Sequence, residues 1–144
     1  MKPRLLFFSI ALLSACTFVQ VKPVDDSRFK LVHVCIQQNA QVIISDFVQV
    51  LREGFERHGL TTELVRDNGN TLPRSCEYVL SYTARQSWDF SPYLSTAHLE
   101  LRRGNELVAR ADYHLRAKGG LTLTKWSGTA SKMNPVIDRM LEDF

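Results

Sequence analysis

The sequence predicts one α+β domain, a two-layer sandwich in which two helices cover one face of a mixed, mainly antiparallel sheet. Two observations favour this fold class. Several short segments have strand character, and two segments with helical spacing of apolar residues lie among them. A chain of 144 residues is long enough for one hydrophobic core and short for two. We therefore expect a single domain.

The elements are predicted in the order strand, helix, four strands, helix. The first helix is predicted over 45–58, where Ser45 can cap the first turn and apolar residues recur until Gly59. The second helix is predicted to begin at Asn134-Pro135. Strands are predicted at 29–36, 61–65, 77–84, 94–102 and 107–116, with a further short strand at 121–126.

Residues 1–15 have the features of a secretory signal peptide. Lys2 and Arg4 give a positive start, an apolar stretch covers 5–13, and the small residues Ser14 and Ala15 follow. The competing interpretations are a core helix or a lone transmembrane anchor. Both fit poorly with a cysteine directly after small residues, so we expect export.

The run Leu13-Ser14-Ala15-Cys16 resembles the lipobox of bacterial lipoproteins. Cys16 would then carry a diacylglyceryl thioether and become the acylated first residue after cleavage. Acyl chains contribute roughly 0.8 kcal/mol per buried methylene, so three of them would hold the domain on a membrane. Thr17, where an Asp would favour the inner membrane, predicts the outer membrane, with the domain facing the periplasm.

Residues 16–28 contain Pro23 and the acidic pair Asp25-Asp26, and we interpret them as the lipidated cysteine and a tether. The folded domain is then predicted at 29–144.

Cys35 and Cys76 remain once Cys16 is assigned to the lipid, and disulfides persist in an exported protein. The alternatives are free thiols or a metal pair. A right-handed crossover makes the first two strands parallel, and a third strand beside the first can run antiparallel to it. Numbering the five main predicted strands along the chain, this gives the order 2-1-3-4-5. Cys35 and Cys76 would lie at adjoining strand ends, so the disulfide and the strand order support each other.

The net charge argues against a nucleic-acid partner. Lys2 and Arg4 supply two of the three net positive charges and leave with the signal peptide. Nucleic-acid binding needs a clustered excess of Lys and Arg, which the rest of the chain lacks. We expect no nucleic acid as partner.

The strands at 94–102 and 107–116 alternate as a hairpin with one dry and one wet face. The predicted dry face carries Ala97, Leu99, Leu101, Leu107, Ala109, Ala111, Tyr113 and Leu115. The wet face carries two imidazoles and two carboxylates, a set that can bind zinc: His98, Glu100, Asp112 and His114. Arginines 102, 110 and 116 share this face. They favour an ordinary solvated surface with ion pairs, so a metal site is the weaker alternative.

Other catalytic motifs are missing from the sequence. There is no G-x-S-x-G nucleophile elbow, and Gly119-Gly120 lacks the pattern of a phosphate-binding loop. We predict no cofactor and a protein that is not an enzyme.

Four aromatic residues fall in segments predicted as loops: Trp88, Phe90, Tyr93 and Trp126. The first of these loops is predicted from Arg85 to Pro92. One interpretation is that they fold back to close the open end of a small core. The other is that they anchor an interface with an envelope protein, a glycan or a lipid headgroup.

Four stretches resemble a family of small proteobacterial outer-membrane lipoproteins without an assigned biochemical function: SDFVQVLREGFERHG, CEYVLSYTA, SWDFSPYLS and YHLRAKGGLTLTKWSGTASKMNPVID. The resemblance implies a lipid anchor and a shared fold, and it transfers no catalytic residue. The predicted architecture is also similar to the lipopolysaccharide-assembly lipoprotein in topology alone, and a shared fold does not transfer function.

The function predicted from the sequence is a non-catalytic, periplasm-facing envelope lipoprotein that binds or supports another envelope component. The alternative is a metal-dependent periplasmic hydrolase that uses the His, Asp and Glu side chains of the hairpin.

Overall fold

The computed structural model describes residues 17–66, 72–116 and 123–144. The predicted signal peptide, Cys16 and Gly119-Gly120 lie outside these residues. Within these ranges the fold is a six-stranded mixed sheet with two helices, so the predicted α+β class is confirmed. The elements are β1 Thr17–Lys22, β2 His33–Gln38, α1 Phe47–Arg57, β3 Thr61–Arg66, β4 Tyr78–Trp88, β5 Pro92–Arg103, β6 Glu106–Leu115 and α2 Thr129–Met140.

The sheet has the order β1-β6-β5-β4-β2-β3. The five strands predicted from the sequence occupy their predicted order. The additional strand is β1, at 17–22, a segment interpreted from the sequence as tether. It pairs antiparallel with β6, with Thr17 opposite Leu115 and Lys22 opposite Arg110. The tether interpretation is therefore wrong for these residues, because their alternation of half-buried and exposed side chains suits a strand at the edge of the sheet.

The relative direction of two strands was also predicted wrongly. β2 and β4 run parallel, with Cys35 opposite Val79, whereas the sequence analysis made them antiparallel. That prediction placed Cys35 at the end of its strand. In the structure the strand is 33–38, so Cys35 lies near its beginning, and Cys76 lies just before β4 begins. The disulfide joins two adjoining strand beginnings, with the Cα atoms of Cys35 and Cys76 5.4 Å apart.

The core lies between one face of the sheet and the two helices. β5 and β6 direct Leu99, Leu101, Ala109 and Ala111 into it, as their alternation predicts. A β-bulge after Leu101 shifts the register, so Val108 is buried where the sequence predicted Leu107. The predicted dry and wet faces of this hairpin are otherwise as observed.

The two helices run side by side in the same direction. At their beginnings, Thr129 Oγ1 donates a hydrogen bond of 2.8 Å to Asp46 Oδ1. At their ends, Arg57 Nη2 lies 2.6 Å from Asp138 Oδ1. Between these contacts they approach closely at Gly54, where an added Cβ would lie 2.6 Å from Ile137 Cδ1. The glycine is required because any larger side chain would push the helices apart.

Several helices and strands begin or end at residues other than those predicted from the sequence. Asp46, not Ser45, precedes the first turn of α1. α2 begins at Thr129, after Gly128, so Pro135 lies inside the helix and not at its first turn. The predicted strand at 121–126 is a 3₁₀ turn at Leu123–Trp126 within the described residues. The loop predicted between Arg85 and Pro92 is shorter, since β4 continues to Trp88.

We predict that removal of the disulfide destabilises the domain. The bond joins residues 41 positions apart, and loop-closure entropy then gives about 4 kcal/mol of stabilisation through the unfolded chain. A variant with both Cys35→Ala and Cys76→Ala should lose a large part of this free energy of unfolding in a urea titration. The oxidised parent, measured with and without reductant, is the control. Equal urea midpoints for the parent in both conditions would contradict the prediction.

Candidate functional site

The four aromatic residues singled out in the sequence lie at one end of the sheet. Trp88 ends β4, Phe90 is in the following turn, Tyr93 is the second residue of β5, and Trp126 ends the 3₁₀ turn. The structure brings Phe90 and Trp126 together, with ring centroids 6.3 Å apart. We refer to the surface formed by Trp88, Phe90, Leu123 and Trp126 as the aromatic end.

The aromatic residues divide between the core and the surface. Tyr93 is only 3% exposed and belongs to the core, and Trp126 is partly buried against it. Trp88 is 72% exposed, Phe90 is 87% exposed and Leu123 is 84% exposed. The interpretation that these residues close the core therefore holds for Tyr93 and Trp126 and is wrong for Trp88 and Phe90, which are exposed.

A buried lysine holds the turn that carries Phe90. Lys125 is 5% exposed, and its Nζ donates a hydrogen bond of 2.6 Å to Asp89 Oδ2. The same Nζ lies 4.4 Å from the centroid of the Trp126 ring. A buried ammonium group needs a partner charge, and a cation over an indole face is attracted by it. Lys125 thus joins the turn at 89–91 to the 3₁₀ turn.

A second lysine connects this end to α2. Lys132 Nζ donates hydrogen bonds to the carbonyl of Leu94, at 3.0 Å, and to the carbonyl of Lys125. Burial lowers the pKa of Lys132 below its ordinary value. Sequence reasoning missed both lysines as structural groups. No pattern marks them, because most lysines lie on the surface.

A groove of about 340 Å³ begins beside the aromatic end, between β1 and α2. Its wall includes Thr17, Thr124 and Ser127, so the first residue of β1 lies close to the 3₁₀ turn. Its apolar lining comes from Val19, Tyr113 and Leu115 on the sheet and from Pro135 and Val136 on α2. The groove shows that the beginning of β1 and the aromatic end share one end of the molecule.

On the open face of the sheet, three of the four predicted zinc ligands come together. His98 Nδ1 lies 2.6 Å from Asp112 Oδ1, and His98 Nε2 lies 3.3 Å from Glu100 Oε1. His114 is exposed and lies opposite Thr96 in the neighbouring strand. The two carboxylates contact different nitrogens of one ring, so they do not converge with it on a single point.

Arginines complete this cluster. Arg110 Nε lies 2.9 Å from Asp112, and Arg102 Nε lies 3.0 Å from Glu100. Burial by itself would raise the pKa of both carboxyl groups. Hydrogen bonds from the arginines and from His98 outweigh burial and leave both pKa values below their ordinary level. The geometry is that of an ion-pair network on a solvated sheet face.

A further group of possible metal ligands lies at the edge of the same face: His33, Cys35 and Glu63. The ligand atoms of the three lie within 4.8 Å of one another. The Cys35 sulfur is in the disulfide and so cannot act as a thiolate ligand. Two ligands, His33 and Glu63, do not make a structural zinc site, which needs four.

Among the described residues, no helix combines the length and the apolar character that a membrane crossing requires.

The fold resembles solved structures. No protein-family model matches the chain, and no curated protein matches it. The chain is similar in structure to the PelC dodecamer from Paraburkholderia phytofirmans, with a TM-score of 0.57 and 16% sequence identity over 86% of this chain and 94% of that one. A single-substitution variant of that dodecamer matches with a TM-score of 0.52 and 14% identity, over 85% of this chain and 95% of the other. At this identity the likeness establishes the fold alone.

We predict that replacing the two tryptophans changes stability by very different amounts. Trp126→Ala should lower the free energy of unfolding by about 2–4 kcal/mol, because it removes a ring packed on the core and on Lys125. Trp88→Ala should change it by less than about 0.5 kcal/mol, because most of that ring is already in solvent. Urea unfolding of the two variants beside the parent, with the disulfide intact, measures both changes. A large loss in Trp88→Ala would place that ring in the core and contradict the division.

Proposed function

We propose that this protein is a non-catalytic, lipid-anchored component of the outer membrane that faces the periplasm and supports another envelope component. It would belong to the family of small proteobacterial lipoproteins that the sequence resembles. The observation that carries the proposal is the position of Thr17. It is the residue after the lipobox cysteine, and it is already the first residue of a strand in the sheet.

Two further features support this proposal. The Cys35–Cys76 disulfide is of the kind that persists in an oxidising compartment such as the periplasm. The cluster best suited to bind a metal is His98 with Glu100 and Asp112. Two arginines already form ion pairs with its carboxylates. That engagement favours a binding or supporting role over the metal-dependent hydrolase.

The anchor is tested at Cys16. In cells given a labelled fatty acid, the full chain should become labelled and sediment with membranes, because the thioether can form only on the cysteine. Cys16→Ala should abolish the label and leave an uncleaved or mislocalised precursor.

Thr17→Asp serves as the matched control for the anchor, since it should keep the label and change only the membrane in which the protein is found. A Cys16→Ala protein that still carries the fatty acid would overturn the lipoprotein assignment.

The proposed supporting role includes self-association. The two solved neighbours are dodecamers. In this chain the outermost strands of the sheet, β1 and β3, lie on opposite sides. An outermost strand presents unpaired backbone groups, and two different edges can join head to tail and close into a ring.

We expect the full chain, purified in detergent, to sediment as an oligomer. Leu64→Lys places a charge on β3, at a residue that is partly exposed, and should shift the sedimentation toward the monomer. Val32→Lys, outside the two edge strands, is the control and should leave the sedimentation unchanged. A monomeric parent would contradict self-association and leave the lipid anchor unaffected.

A further inference from the structure

The strand register shows which loops lie at the same end of the sheet as Thr17, the first residue of β1. Thr17 pairs with Leu115 at the last residue of β6. β5 runs antiparallel to β6, so the end of β6 adjoins the beginning of β5 and the turn that precedes it. In that turn Trp88 pairs with Pro92. The first residue of β1 and the aromatic end therefore lie at the same end of the sheet.

The most exposed large apolar side chains are concentrated there. Among the residues that the structure describes, four of them are more than 70% exposed: Ile43, Trp88, Phe90 and Leu123. Three of the four belong to the aromatic end. Ile43 follows β2, which runs parallel to β4, so it also lies toward this end. Exposed apolar groups that cluster in this way mark an interaction surface.

The charged groups at this surface are either paired with an opposite charge or placed beside an aromatic ring. Asp89 is the acidic residue of the turn, and Lys125 pairs with it at 2.6 Å. Arg116 is exposed at the end of β6, and its guanidinium lies 5.0 Å from the centroid of the Phe18 ring. Aromatic and leucine side chains beside a basic residue are the composition of surfaces that lie in the headgroup region of a bilayer.

We propose that the aromatic end is a membrane-contacting surface, on which Trp88, Phe90 and Leu123 enter the headgroup region of the lipid leaflet that holds the anchor. This inference rests on the proposed lipidation of Cys16. One residue spans at most about 3.6 Å, so an acylated Cys16 leaves the start of β1 at the lipid surface with almost no slack. The aromatic end is then held against the same leaflet, which identifies its occupant as lipid and not as a distant protein.

A buried contact also holds the turn that carries Phe90. The turn at 89–91 is held from inside by Lys125, which is itself fixed between Asp89 and Trp126. The anchor and the rings thus form two contacts on one rigid end of the domain. A lipid chain combined with a second membrane contact binds more stably than either contact alone.

The experiment places one tryptophan at a time in the lipidated full chain. The chain has two, Trp88 and Trp126, so Trp126→Phe leaves Trp88 as the reporter. The protein is reconstituted into vesicles of phosphatidylethanolamine and phosphatidylglycerol whose acyl chains carry bromine. Trp88 emission should shift to shorter wavelength, lose intensity to the bromine and become protected from aqueous iodide.

The matched control puts the reporter at the opposite end. Val32, 67% exposed, precedes β2 and lies at the end of the sheet away from Trp88. In a chain with Trp88→Phe and Trp126→Phe, the substitution Val32→Trp should give emission that iodide quenches and bromine does not. Phe90→Ser together with Leu123→Ser should leave the protein on the vesicles through its lipid and reduce the bromine quenching of Trp88.

The outcomes separate the two proposals. If the protein does not remain with the vesicles, the lipid anchor is wrong, and the membrane contact that rests on it is wrong too. A protein that remains on the vesicles while Trp88 stays open to iodide overturns the membrane contact alone. Trp88 emission that is shifted and protected from iodide on the vesicles, but is not quenched by the bromine, assigns Trp88 to a contact between copies and also overturns the membrane contact.

Discussion

The pairing of β4, β5 and β6 supports every other part of this structure. These long antiparallel strands form one continuous apolar face, on which the two helices pack. β2 and β3 attach to them through β4, and β1 attaches through β6. The register of the three strands therefore decides which side chains enter the core, which face stays open and which loops share an end of the molecule.

The same pairing explains the unusual exposure of the aromatic end. β4 and β5 extend beyond β2, so the turn that joins them projects past the parallel part of the sheet. A projecting turn with two exposed aromatic rings is costly in water unless something covers it. The buried Lys125 compensates its charge with Asp89 and with the face of Trp126. This arrangement fixes the turn that carries Phe90, which suits the membrane contact proposed above.

Strand alternation predicted burial correctly wherever the strands are regular and well buried. Alternation in β5 and β6 correctly predicted the inward side of Leu99, Leu101 and Ala111, because the period of two is a property of the strand itself. It failed at Leu107, because the β-bulge shifts the alternation by one residue. Nothing in the local sequence marks that bulge. β1 was missed because a short edge strand buries little and its sequence resembles a linker.

For the candidate site, the sequence by itself determined the chemical groups: Cys16 in a run that resembles a lipobox, the two remaining cysteines and the aromatic residues near positions 88–93 and 126. Tertiary structure decided their arrangement. It made β2 and β4 parallel, paired His98 with Asp112 across two strands, and buried Lys125 while Trp88 stayed in solvent. Such outcomes depend on contacts between residues far apart in the chain, whereas composition and periodicity report only on neighbours. Burial and strand direction are therefore properties of the whole fold and not of any segment.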